Sequence, residues 1–322
     1  MRGIVVTRTG GPEVLEPRDL PDPEPGPGQV LVDVEAIGVN YRDIYEREGA
    51  GPYSAEPPFV AGVEGAGTVA AVGEGVSDVS PGDRVAWTNG NGSYAERIAL
   101  DADRVVPVPD GVPTEVAAAA LLQGMTAHYL ATSTYPVKDG ETVLAHAGAG
   151  GVGLLLTQIV KLRGGRVITT TSTEEKAQLS RAAGADEVIG YDGFAARVRE
   201  LTGGEGVAAV YDGVGAATFD DSLASLRPRG YMVLYGAASG PVPPVDPQRL
   251  NTGGSLFLTR PSLQHYASAR DEMLMRAGEV FGWIADGALE VRIGARYPLE
   301  QARQAQEDLA ARRTTGKLIL VP

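Results

Sequence analysis

Over the first ~120 residues, apolar positions recur with the two-residue period of half-buried strands, in short runs cut by turns. Residues 29–37 place Val30, Val32 and Val34 on one face, and further strands are predicted at 3–7, 67–72 and 84–87. The turns Gly73-Glu-Gly-Val and Pro81-Gly-Asp separate them. Pro21-Asp-Pro-Glu-Pro-Gly-Pro-Gly reads as an exposed connector, because four prolines cannot donate to a ladder. A turn-rich β domain follows from this pattern.

Near residue 114 the period changes. Thr114-Glu-Val-Ala-Ala-Ala-Ala-Leu-Leu reads as a helix opened by a threonine cap. From about 124 to 260, strands predicted at 142–147, 166–171, 187–189, 207–211 and 231–235 alternate with helices at 151–163 and 174–183. A βαβα rhythm with glycine at the turns implies a doubly wound parallel sheet. The tail reads as helices at 271–286 and 299–312, then a strand at 317–321. No internal repeat stands out.

Composition narrows the function classes. Glycine and proline together make up roughly a fifth of the 322 residues, spread through apolar segments, which argues for tight turns over disorder. A formal charge of −13 disfavours nucleic acid and anionic membranes as partners. No apolar run reaches membrane-spanning length, and Met1-Arg-Gly-Ile-Val-Val-Thr-Arg is too poor in apolar residues for a signal peptide, so a cytoplasmic location is expected. The absence of cysteine excludes disulfides, thiolate nucleophiles, iron–sulfur clusters and cysteine-based zinc sites. With only His128, His146 and His265, a histidine-rich metal site is also disfavoured.

The strongest motif is Ala145-His-Ala-Gly-Ala-Gly-Gly-Val-Gly-Leu, in which Gly148, Gly150 and Gly153 satisfy G-x-G-x-x-G between a predicted strand and a predicted helix. The first glycine turns the chain, the second admits a pyrophosphate to the backbone, and the third lets helix pack on strand. An NAD site places an acidic residue at the end of the next strand. Here that strand ends Thr169-Thr-Thr-Ser-Thr. Ser172 and Lys176 suit a 2′-phosphate, so NADPH is the expected cofactor. Glu174 and Glu175 complicate this, unless Ser172-x-x-Glu175 forms a capping box.

Taken in order, Gly10-Gly-Pro-Glu-Val-Leu, Gly38-Val-Asn-Tyr-Arg-Asp-Ile-Tyr, Pro81-Gly-Asp-Arg-Val, the glycine turn, Ser255-Leu-Phe-Leu-Thr-Arg-Pro-Ser and Thr315-Gly-Lys make the whole chain resemble the zeta-crystallin-type NADPH:quinone oxidoreductases among the medium-chain dehydrogenases/reductases. The resemblance implies an α/β protein with a Rossmann domain at 124–261 and a GroES-like, mostly β catalytic domain at 1–123 with 262–322. The active site would lie in the cleft between them. Zinc-containing relatives carry histidine where this chain has Val63.

The resemblance further implies that Asn40, Asp43 and Tyr45 serve the nicotinamide end and the substrate. Gly148, Gly150, Gly151, Val152 and Gly153 would hold the pyrophosphate, and Ser172, Lys176, Tyr191 and Arg312 the adenosine phosphate. Val214, Gly236, Ala237, Thr259 and Arg260 would hold the nicotinamide ribose and carboxamide, with Tyr41 and Tyr129 also on the cofactor. Gly148 stands where many relatives carry Ala, which should only loosen the turn, and Ala237 where they often have Asn. A homodimer joined across the edge strand at 255–259 is implied, with a quinone or other planar electron acceptor as substrate.

Each residue also has a plainer reading. Tyr45 and Tyr191 could be packing residues, Lys176 and Arg312 surface charges, and Asp43 an ion-pair partner, while Tyr53 sits in a Pro-rich loop where it could shape the pocket. His128 and His146 read as structural, neither having an evident carboxylate partner. Metal-free reduction of quinones, by hydride or single electrons, competes with reduction of activated alkenes such as enones or haloacrylates. A non-enzymatic role, crystallin-like or RNA-binding, is the alternative from another class, and the −13 charge speaks against RNA.

Overall fold

The computed structural model describes residues 1–50, 53 and 55–322, which fall into two units, Met1–Leu122 with Ser268–Pro322 and Gln123–Ala267. In the first unit a seven-stranded sheet carries, in order, Ile293–Pro298, Lys317–Val321, Gln29–Val39, Gly65–Val72, Arg84–Trp87 and Val105–Pro107, with Arg97–Asp101 also paired to Gln29–Val39. Leu15–Asp19, Arg2–Val6 and Phe59–Val60 form a second, three-stranded sheet. The alternation in Gln29–Val39 works as expected: Val30, Val32 and Val34 face a core shared with Val69, Val85, Trp87 and Leu320. The C-terminal strand completes this sheet antiparallel to residues 37–39, with Leu318 opposite Val39.

The second unit is a six-stranded, all-parallel sheet in the order Glu187–Ile189, Arg166–Thr170, Thr142–Ala145, Val207–Asp212, Leu226–Leu234, Phe257–Thr259. Numbered along the chain this is 3-2-1-4-5-6, the Rossmann arrangement. Near-continuous apolar strands such as Val207–Asp212, buried throughout, are what a sheet covered on both faces requires. Leu144, Ile168, Val210 and Met232 pack with Phe194, Val198, Phe219 and Leu223 from the helices Phe194–Leu201 and Phe219–Ala224. Those two helices escaped sequence reading because both are short, with little room for a 3.6-residue period to show. The helix at 114 extends to Tyr129 and begins at Thr114 itself. Among the described residues, no helix is long and apolar enough to cross a membrane.

Candidate active site

In the second unit the sheet order reverses between Thr142–Ala145 and Val207–Asp212, the position where dinucleotides bind in such sheets. The expected cofactor residues gather along the carboxyl ends of its strands. Gly148, Gly150, Gly151, Val152 and Gly153 follow the first strand, Ser172 and Lys176 the second, and Tyr191 the third. Val214, Gly236 with Ala237, and Thr259 with Arg260 end the other three.

The glycine turn leads into the Gly151–Leu162 helix, whose N-terminal N–H groups and dipole favour an anion. Ala147 takes a left-handed φ of 53°, and its N–H donates to the Tyr191 phenolic oxygen at 3.2 Å. The Tyr191 ring lies nearly parallel to His146, centroids 6.0 Å apart. A Cβ on Gly153 would strike the Ala147 carbonyl, and one on Gly151 the amide of Gln123. Gln123 Oε1 is buried without a hydrogen-bond partner, a polar atom left over beside the turn. These features fit a dinucleotide.

The space behind Gly148 is occupied. A Cβ there would stand 2.6 Å from both Thr169 Cβ and Ser180 Oγ, whose hydroxyl partner is Thr169 at 2.7 Å, so this chain has filled the space an alanine would need. The capping box at Ser172 is corrected. Thr173 is the N-cap of the Glu174–Ala182 helix, accepting the Lys176 N–H at 3.3 Å, and Ser172 is exposed. Glu174 is drawn into an ion pair with Arg181 at 2.7 Å.

His146 has more company than its sequence neighbours suggested. Its ring sits between Thr170 Oγ1 at 2.8 Å and Ser222 Oγ at 2.9 Å, and Ser222 donates onward to Asp212 Oδ2 at 3.0 Å. Asp212 also accepts from the Val214 and Gly215 N–H groups and from Thr218. Burial lowers the His146 pKa to about 4, against the pull of Asp212, so the ring is neutral at pH 7 and acts through hydrogen bonds. Val214, Gly236 and Ala237 come together around Gly213 and Ser239. Tyr129 is buried and stacked on Tyr266 at 4.3 Å. The Arg260 guanidinium turns to the Pro261 carbonyl.

In the first unit, Asn40 ends the Gln29–Val39 strand and is the N-cap of the Tyr41–Glu48 helix, which Gly49 closes with φ 65°. The Asn40 N–H donates to Asp43 Oδ2 at 2.9 Å, as does the Tyr94 hydroxyl at 2.8 Å. Burial pushes the Asp43 carboxyl up to about 7, with the Asn40 and Tyr94 bonds and the Lys317 and Arg42 charges opposing. The Asn40 amide is equally committed, donating to Glu64 Oε2 and the Gly38 carbonyl and accepting from Lys317 Nζ. From the sequence, Lys317 stood out only as the last residue of Thr315-Gly-Lys, and Glu64 was given no role. A lone Lys at the head of the apolar Lys317–Val321 strand was the available signal, since a buried ammonium needs a partner. Tyr41 and Tyr45, one helical turn apart, tilt against each other with centroids 5.4 Å apart. Burial raises the Tyr41 phenol, and the charge of Arg312 opposes it. The Arg42 guanidinium lies 4.9 Å over the Tyr53 ring.

Residues 26–110 match the alcohol dehydrogenase GroES-like domain family, and residues 151–276 the zinc-binding dehydrogenase family. A quinone oxidoreductase of Pseudomonas aeruginosa is 46% identical over 97% of each chain. The chain belongs to the quinone oxidoreductases of the medium-chain dehydrogenase/reductase family. A 2-haloacrylate reductase of Burkholderia is 39% identical over 99% of this chain and 98% of its own. Among solved structures, that of mycobacterial Rv1454c complexed with NADPH superposes with a TM-score of 0.97 at 57% identity, covering all of both chains. The zinc in the family description does not fit this chain. It has no cysteine, Val63 offers no ligand, Glu64 is taken by Lys317, and no group of three or more acidic, His or Cys side chains among the described residues could hold a metal.

Proposed function

We infer that this chain is an NADPH-dependent quinone oxidoreductase that works without metal. The observation that carries this reading is the neighbouring placement, at the carboxyl ends of adjacent parallel strands, of the glycine turn and the uncharged Thr170–Thr173 segment with Lys176 beyond it. Gly150, Gly151 and Val152 would offer backbone N–H groups to the pyrophosphate. Ser172 and Lys176 would take the 2′-phosphate, with Arg312 as a further cation. Tyr191 would hold the turn through Ala147, and Val214, Gly236, Ala237, Thr259 and Arg260 would line the nicotinamide half. When bound, NADPH supplies the reducing equivalents to a planar acceptor.

The chain's own contribution is then placement more than proton transfer. Tyr45, with Tyr41 against it, would set the acceptor plane. Asn40 and Asp43 would act on that plane indirectly, since their side-chain bonds run into the protein and fix the first turn of the helix. His146, neutral and doubly hydrogen-bonded, would stiffen the strand end beneath the turn.

The chain is also proposed to pair with a second copy. Phe257, 49% exposed and stacked on Tyr231 at 4.5 Å, lies on the edge strand of the parallel sheet, whose outer side has no partner strand among the described residues.

With 1,4-benzoquinone as acceptor, purified protein should oxidise NADPH far faster than NADH, and EDTA should not change the rate. A higher kcat/KM for 2-chloroacrylate, with solvent deuterium incorporated at carbon, would favour the alkene-reductase reading suggested by the Burkholderia relative. Loss of activity in EDTA, restored by zinc, would defeat the assignment.

A further inference from the structure

Lys317 and Glu64 are 1% and 0% exposed, and their Nζ and Oε2 atoms are 2.6 Å apart. Burying two charges costs about as much as their attraction returns, so a buried ion pair is poor evidence of added stability. What such a pair does supply is direction. Lys317 Nζ also donates to Asn40 Oδ1 at 2.7 Å, and Asn40 Nδ2 donates to Glu64 Oε2 at 2.8 Å. The three groups close a ring in which the Asn40 amide can take only one orientation, oxygen to the ammonium and nitrogen to the carboxylate. The other carboxylate oxygen, Glu64 Oε1, accepts the Leu122 N–H at 2.6 Å.

The surrounding backbone is built for this ring. Strand register sets Leu318 opposite Val39, which brings the next residue of each strand, Lys317 and Asn40, side by side. Gly38 leaves room for the carboxylate, since a Cβ there would strike Glu64 and stand 2.7 Å from the Ala118 carbonyl. Asn40 is in turn the N-cap of the helix that carries Tyr41 and Tyr45.

We propose that Lys317 is a positioning residue for quinone reduction, fixing through Glu64 and Asn40 the first turn of the helix that presents Tyr41 and Tyr45. The role rests on the reading that Tyr45 places the acceptor. It gives an otherwise costly buried pair a task, and it couples the C-terminal strand to the helix through the two hydrogen bonds of one ammonium group.

Lys317→Met alone strands the Glu64 charge and should lower the melting temperature. The double variant Glu64→Gln/Lys317→Met removes both charges and should recover most of that temperature. Its kcat/KM for 1,4-benzoquinone should nevertheless stay about tenfold or more below the parent, through a raised quinone KM, while NADPH affinity from fluorescence titration is unchanged. Recovery of kcat/KM together with the melting temperature would overturn the role. Should the double variant fail to fold, Asn40→Ala decides, because it leaves the ion pair in place. The same quinone-KM signature supports the proposal, and an unchanged kcat/KM overturns it. A parent protein that binds NADPH yet reduces no quinone would overturn the functional reading on which the role rests.

Discussion

The backbone N–H of Ala147 donates to the phenolic oxygen of Tyr191 at 3.2 Å, so a left-handed alanine in the dinucleotide turn is held by a side chain from beyond the third strand of the sheet. Tyr191→Phe removes the acceptor and keeps the ring on His146. It should weaken NADPH and NADH alike, by roughly 1 kcal/mol or about fivefold, as read by fluorescence titration. An effect on NADPH alone would show that the hydroxyl meets the 2′-phosphate instead.

Lys176 should behave in the opposite way. Lys176→Ala is expected to weaken NADPH by about ten- to a hundredfold, the range for a charge-assisted hydrogen bond, and to leave NADH nearly unchanged. Equal losses for both cofactors would remove the 2′-phosphate role.

Gly148→Ala tests the packing behind the turn. With Thr169 Cβ and Ser180 Oγ both 2.6 Å from the new methyl, overpacking should cost about 1–3 kcal/mol and lower the melting temperature by several degrees. Adding Ser180→Ala should return part of the loss. A melting temperature equal to the parent's would mean that the turn yields easily.

Asp43 gives a pH dependence with a defined sign. Its folded pKa, about 7, lies above the ordinary carboxylate value of 3.8, so between these limits the folded state binds more protons than the unfolded one. Stability from this group therefore falls as pH rises from about 4 to about 7, and is level above that. Asp43→Asn cannot ionise, so its melting temperature relative to the parent should climb by several degrees between about pH 4 and pH 8. A constant difference across that range would mean that Asp43 does not titrate there.

Two variants address assembly and chemistry. Phe257→Asp places a charge on the exposed edge strand and should convert a dimer to a monomer in light scattering, and a parent that is already monomeric at every dilution would remove the dimer. Tyr45→Phe should lower kcat/KM for 1,4-benzoquinone by about tenfold if Tyr45 only shapes and hydrogen-bonds the acceptor. A loss of ~10³-fold would mark it as an obligatory proton donor.

The sequence by itself determined the parallel sheet, the glycine turn and the absence of a cysteine-built metal site. Each is a local property: a strand–turn–helix rhythm, three glycines at fixed spacing, a residue type that is missing. It also placed Ser172 and Lys176 next to the turn, because neighbouring parallel strands end at the same edge of a Rossmann sheet. It misassigned the cap, since Ser172 and Thr173 are chemically equivalent as caps and only backbone geometry chooses between them. It did not connect Asn40 to Glu64 and Lys317, or His146 through Ser222 to Asp212. These partners are separated by 10 to 277 residues, and no periodicity links them. Only the tertiary structure decided them, because burial penalises a polar side chain that lacks a partner and strand register determines which partner is within reach.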